Sequence, residues 1–161
     1  MIVRKASEED IPRVVPLWRE LDESIKPLIA GSPVLVEYGK LKPSAPEVFE
    51  KELRENLGKE THVQLVAEEG GKALGYLLAY VKERGKEKIV GKKMYLRHIL
   101  VSKEARSKGV GSALVKELEK ITRGMGIGFI ALKTYHKNEE VVDFYLKNGF
   151  EKRFIEMVKK V

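Results

Sequence analysis

Met94-Tyr-Leu-Arg-His-Ile-Leu-Val101-Ser-Lys-Glu-Ala-Arg106-Ser-Lys-Gly109-Val-Gly111-Ser-Ala-Leu-Val-Lys-Glu-Leu-Glu-Lys-Ile-Thr-Arg-Gly124 is the stretch whose reading decides the fold. Met94–Val101 is apolar, β-branched and aromatic, the composition of a buried strand. Beyond it, Val110, Ala113, Leu114, Leu118 and Ile121 recur at helical spacing and mark the apolar face of an amphipathic helix. Arg123 in the last turn and Gly124 after the final apolar position are stop signals. Between strand and helix stands Arg106-Ser-Lys-Gly109-Val-Gly111. The first turn of a helix leaves N–H donors without partners, and aligned peptide dipoles add partial positive charge there. Glycine removes the Cβ and lets an anion approach those donors, while Arg106 and Lys108 add full charges beside them. The bend therefore reads as a phosphate cradle. It is not one of the common nucleotide motifs: no Walker A run exists, and the dinucleotide fingerprint needs a third glycine where Leu114 stands.

The bend resembles the pyrophosphate-binding signature of the GNAT superfamily of acetyl-CoA-dependent N-acetyltransferases, Gln/Arg-x-x-Gly-x-Gly/Ala. Arg106, Gly109 and Gly111 match it, after the apolar strand end Ile99-Leu100-Val101. A second resemblance follows about thirty residues on, where Asn138 opens a short helix that carries Tyr145 and leads to Gly149-Phe150. Asn138 and Tyr145 lie about two turns apart on that helix, so their side chains can face one groove. Taken singly, Asn138 reads as a plain N-cap and Tyr145 as a core residue. The two motifs together carry the family resemblance.

At 161 residues the chain is read as one domain, residues 1–161, long enough to bury its own core. No apolar run approaches membrane-spanning length, and Met1-Ile-Val-Arg-Lys leads into a strand rather than a signal peptide, so a cytoplasmic location is expected. The lack of cysteine excludes disulfides, thiolate metal sites and a cysteine acyl-enzyme. No metal site is expected. The formal charge of +7 is spread among glutamates, without a basic block or aromatic interleaving, which argues against a nucleic-acid groove. A single glutamine, Gln64, amid abundant Lys and Glu suits a heat-adapted surface. A moderately basic domain also suits an anionic cosubstrate such as coenzyme A.

Along the chain, Ile2–Ala6 reads as a strand. Ser7 caps a helix with Glu8, Glu9 and Asp10 in its first turn and Pro12 tolerated early. Pro16 predicts a kink or break near Val15. Pro27 to Pro46 is punctuated by proline and glycine and reads as an irregular functional segment, with Val34–Tyr38 partly packed beside the acceptor. Ser44 and Glu47 resemble a capping box opening a helix to about Leu57. His62–Glu69 and Lys72–Glu83 read as strands joined by the Gly70-Gly71 turn. Ile127–Thr134 and Ile155–Val161 read as further strands. The family commonly ends in two strands, and Phe150–Val161 barely has room for one; a wall completed by a second chain, giving a homodimer, is one arrangement this allows.

The resemblance implies an α+β fold: a mixed, mostly antiparallel sheet, splayed between its fourth and fifth strands, with helices on both faces. It implies transfer of an acetyl group from acetyl-CoA directly to a primary amine of a small molecule or a protein or peptide. It places the pantetheine along Ile99, Leu100 and Val101, with an N–H near Leu100 at the thioester oxygen. The pyrophosphate falls to the N–H groups from Lys108 through Val110 to Ser112, with Ser107 and Arg106 at hand. Asn138 would contact the pantetheine arm and Tyr145 the sulfur. A phenol near pKa ~10 is a weaker acid than a thiol near ~8.5 by roughly 2 kcal/mol, so donation of a hydrogen bond to sulfur is the firmer role. The family's usual carboxylate base has no match, since Tyr95, Arg97 and Lys133 hold those places. His98, His136, or water relayed to Glu37, Asp22 or Glu23 remain open as bases. If Arg97 and Lys133 face the cleft, they disfavour polycations and lean towards an α-amine or an acceptor bearing an acid. A non-catalytic acyl-CoA-binding regulatory domain is the alternative, supported by that missing base.

Overall fold

Gly70 and Gly71 both sit at positive φ, 55° and 75°, which gives the twist a tight hairpin needs. They join β2 (His62–Glu69) to β3 (Lys72–Glu83), and this hairpin is the centre of the sheet. The computed structural model describes residues 1–161. In it, β1 (Ile2–Lys5) pairs antiparallel with β2, and β4 (Lys92–Val101) pairs antiparallel with β3. β5 (Ile130–Ala131) joins β4 in parallel, completing the order β1-β2-β3-β4-β5. That parallel contact is confined to Met94 with Ile130 and Tyr95 with Ala131. From there to Val101 the outer edge of β4 has no strand beside it, so the sheet is split between β4 and β5.

Alternation along the strands assigns the two faces. Val66, Tyr76, Leu78 and Leu100 pack with Ile11, Val14, Leu17, Phe49 and Leu53 from α1 (Ile11–Ile29) and α3 (Ala45–Asn56). On the other face Leu65, Leu77, Met94 and Leu96 pack with Val110, Leu114 and Leu118 of α4 (Val110–Gly124), and with Tyr145 of α5 (Glu139–Lys147). Gly75 lets α4 lie close to β3: a Cβ there would stand 2.8 Å from the Leu100 carbonyl oxygen and 2.9 Å from Val110 Cγ1. Helices on both faces of a mostly antiparallel, split sheet match the expected α+β architecture.

Several boundaries differ from the sequence reading. Of the kink or break expected near Val15, the break is absent: α1 runs through Pro16 and Pro27 without interruption. Pro16 and Pro12 are both exposed, so water can satisfy the carbonyl that Pro16 cannot serve. Val34–Tyr38 is helical: Pro33 starts α2 (Pro33–Tyr38), and Ser32 Oγ accepts from the Leu35 N–H at 3.3 Å. A proline that looks like a breaker is here a first-turn residue. Ser44 precedes α3 as expected but makes no side-chain cap bond. The strand expected over Ile127–Thr134 is ladder-bonded only at Ile130–Ala131, because the chain then diverges from β4. Ile155–Val161 is not a strand at all; residues 151–161 make no backbone hydrogen bond, and Ile155, Met157 and Val161 are exposed.

Candidate cosubstrate and acceptor site

The entrance to α4 is bare. None of the backbone N–H groups from Ser107 through Lys108, Gly109, Val110 and Gly111 to Ser112 donates to any backbone acceptor; the first bond of the helix is from Ala113 to the Gly109 carbonyl at 3.0 Å. Ser107 (φ 59°) and Gly109 (φ 81°) are both left-handed, which turns successive N–H groups to one side. Ser107 is the only non-glycine residue of the chain at positive φ. A Cβ on Gly109 would meet nothing within 4 Å, so the space before these donors is open. Gly111 works differently. Its missing Cβ is filled by Phe144 of α5, whose ring edge would lie 3.0 Å away. One glycine leaves the cradle open; the other seats α5 against it.

The adjoining edge of β4 presents its own donors. Ser102 N–H donates to the Leu74 carbonyl at 2.9 Å, so Ser102 faces β3, and alternation turns Leu100 the same way. The closeness of the Leu100 carbonyl to Gly75 agrees. The Leu100 N–H therefore points into the sheet, and it is Ile99 and Val101 that face the split. Arg106 Nε donates to the outward Val101 carbonyl at 3.3 Å, folding its guanidinium along this edge. Further along, Leu78 pairs with His98 and Ala79 with Leu96, leaving Arg97 as a bulge.

Tyr145 sits on α5 edge-on to Phe144 and Phe150, in the cluster that Ile99 and Val101 pack against. Its hydroxyl has no protein partner and burial pushes its pKa up, so it remains a protonated donor. Asn138 caps α5, with Oδ1 accepting from the Val141 N–H at 3.4 Å, which leaves its Nδ2 donor free.

The acceptor face is less as expected. His98 packs edge-on to Phe49, at 5.5 Å between rings, and Phe49 stacks on Trp18. Burial, with Arg97 beside it, pushes the imidazole down to about 4. It is neutral at physiological pH and a poor base: taking a proton from an ammonium near ~10.4 would be uphill by roughly 9 kcal/mol. His136 is exposed in the turn before α5. Glu37 is held by Lys160 at 2.8 Å, and Asp22 and Glu23 both lie beside Lys26. Arg97 and Lys133 stand at the split, each paired with an acid, Glu52 and Glu156 respectively. Glu52 was not singled out from sequence, although it follows Phe49 by three positions on α3. Helical periodicity places such a residue at the rim of the buried face.

Sheet order, the split beside β5 and the bare helix entrance define the GNAT fold. The chain belongs to the acetyltransferase (GNAT) family, whose family model matches residues 31–150. Among solved structures it is similar to a tetramutant of the BH1408 protein of Bacillus halodurans, with 18% identity, all of each chain covered and a TM-score of 0.81. The aminoglycoside 6'-N-acetyltransferase of Acinetobacter haemolyticus superposes with a TM-score of 0.73 at 18% identity, over 100% of this chain and 99% of that one. The glucosamine-6-phosphate N-acetyltransferase of Arabidopsis thaliana gives 0.70 at 21% identity, over 99% and 97%. No curated protein sequence matches significantly.

Proposed function

We propose that this protein transfers the acetyl group of acetyl-CoA directly to a primary amine of a small-molecule or peptide acceptor. The observation that carries this reading is the unbroken run of unpartnered N–H groups from Ser107 to Ser112, open at Gly109. Such a run suits a pyrophosphate, whose oxygens accept several donors at once. Acetyl-CoA supplies the activated acyl group as a thioester. The outward N–H groups of Ile99 and Val101 are placed to pair with an extended arm and to donate to a carbonyl oxygen that gains charge. Tyr145 donates a hydrogen bond towards the leaving sulfur, which burial suits better than full proton transfer. Asn138 Nδ2 steadies the arm.

With His98 neutral and the nearby carboxylates paired, water takes the amine proton. An α-amine near pKa ~8 costs only about 1 kcal/mol to deprotonate at neutral pH, against 4–5 for a lysine-like amine, and this favours acceptors of low pKa. Residues 151–161, with unbonded backbone and exposed apolar side chains, support a homodimer in which a second copy covers them. No helix is long and apolar enough to cross a membrane, and a cytoplasmic setting belongs to the same reading.

Calorimetric titration with acetyl-CoA, followed by thiol release in the presence of amine mixtures, tests the proposal. Binding with amine-dependent thiol release supports it. Binding without release favours a second reading, a non-catalytic acyl-CoA-binding domain, for which the paired state of Glu37, Glu52 and Glu156 speaks. Absence of binding ends both.

A further inference from the structure

At the far end of β3 and β4, register sets Lys82 directly opposite Lys93. The next rung, Glu83 opposite Lys92, is an ion pair at 3.8 Å on the other face of the sheet. Opposite charges across a ladder stabilise it and like charges weaken it. Within one rung, then, the same two strands pass from complementary to repulsive. Both repelling ammonium groups converge on one ring, with Lys82 Nζ 5.2 Å and Lys93 Nζ 5.9 Å from the centre of Tyr95.

Two more cations border them. Arg84 donates to the Val90 carbonyl at 3.2 Å, and Arg153 lies over Phe154 at 5.8 Å. None of these four side chains has a carboxylate within ion-pair distance, whereas Arg97, Lys133 and Lys160 each hold one. Partial burial, and then the charges of Lys82, Arg153 and Arg84, lower the pKa of Lys93. An anion placed among them would relieve that repulsion.

The position of this cluster relates it to the split. Tyr95 is the residue at which β4 and β5 last touch. Tyr80 lies 5.4 Å from it and His62 stacks on Tyr80 at 5.7 Å, so an aromatic floor runs across β2, β3 and β4. The floor leads from the cations to the Arg97 bulge. Four residue steps of strand lead from Lys93 to Arg97, about 13 Å.

We propose that Lys82 and Lys93, bordered by Arg84 and Arg153, form an anion subsite for a phosphate or carboxylate carried by the amine acceptor, with the acceptor's body on the Tyr80–Tyr95 floor. The subsite rests on the acetyltransferase reading and narrows it: the acceptor carries an anionic group as well as the reacting amine.

Matched acceptors test this and separate the two anions. One pair is glucosamine 6-phosphate against glucosamine; the other is C-terminally amidated Ala-Ala-Asp against amidated Ala-Ala-Asn. The expected result is a kcat/KM ratio of anionic to neutral acceptor above about tenfold in one pair at least, falling by about tenfold or more in Lys82→Glu/Lys93→Glu. A ratio near one in both pairs, or one that the double variant leaves in place, overturns the subsite. Inorganic phosphate titrated into the protein with coenzyme A present gives a readout free of turnover. Amide shifts at Lys82, Arg84, Lys93 and Tyr95, lost in the variant, support the site. Shifts scattered over surface lysines, an adventitious ion only, or none in this region, count against it. The acetyltransferase reading is judged separately, from coenzyme A-induced shifts at Ser107–Ser112; their absence would sink that reading while the phosphate response still decides the subsite.

Discussion

The two ends of β4 both present unpaired positive charge, but they are made differently. At the Val101 end the donors are main-chain N–H groups, oriented by the left-handed turns at Ser107 and Gly109 and by the start of a long helix. At the Lys93 end they are ammonium and guanidinium groups on flexible stems, crowded by strand register onto one tyrosine. Backbone donors keep their geometry whatever the side chains become, and so suit a cosubstrate that is always the same. Side-chain cations can be exchanged by single substitutions, and so suit the half of the site that distinguishes acceptors. Rigidity belongs where the ligand is fixed; replaceable charge belongs where it varies.

The largest effect should come from attacking the rigid end. Gly109→Val places a β-branched residue at φ 81° and fills the open space before the donors, so acetyl-CoA affinity should drop by about a hundredfold or more in calorimetry. A variant that binds as well as the parent would remove the contrast altogether. Next is Tyr145→Phe, which deletes a donor without changing the packing against Phe144 and Phe150. Loss of one hydrogen bond to developing charge should lower kcat by roughly ten- to a hundredfold, with the KM for acetyl-CoA moving much less. An unaltered kcat would take the phenol out of the reaction.

A third test uses acid. The folded pKa of His98, about 4, lies below the ordinary 6.5, so between these values the unfolded chain binds more protons and stability falls as pH falls. That loss should be on the order of 3 kcal/mol, and His98→Phe should flatten the pH 4–6.5 limb of a denaturation series. Asp10 adds a second limb at lower pH. The Arg4 guanidinium, aided by hydrogen bonds from Ser7, holds its carboxyl down to about 2, so its contribution fades only as pH drops below about 4. Because burial holds the His98 imidazole down to about 4, the pH–rate profile of acetyl transfer should follow the acceptor amine and show no break near 6.5. A clear enzymic ionisation there would restore His98 as a base. The smallest effect concerns association: Met157→Lys adds charge to an exposed apolar strip and should shift a monomer–dimer equilibrium towards monomer in sedimentation, by a few-fold.

The turn, the caps and the helix entrance could be read in advance because their signals are local. Glycine at a helix entrance, apolar spacing over Val110–Ile121, Asn138 as a cap and the Gly70-Gly71 turn each act within a few residues. Pro33 misled because the same residue breaks a helix from inside and starts one from its first turn. The short reach of β5 could not be seen, since Ile127–Thr134 has strand composition throughout and only its divergence from β4 ends the ladder. The same holds for Glu52. Its partner Arg97 is distant in sequence and meets it only because α3 crosses the β4 bulge.

Sequence alone determined the local devices: the four longer helices, the central strands and their turn, where the N–H donors are left bare, and that no cysteine chemistry is available. Tertiary structure decided everything that depends on two distant segments meeting. It turned Ile99 and Val101 rather than Leu100 towards the split, gave the space at Gly111 to Phe144, buried His98 against Phe49 and so lowered its pKa, and brought Lys82 and Lys93 face to face. Backbone preference is set within a turn or a strand, but burial, register and charge proximity exist only once the sheet has closed on its helices.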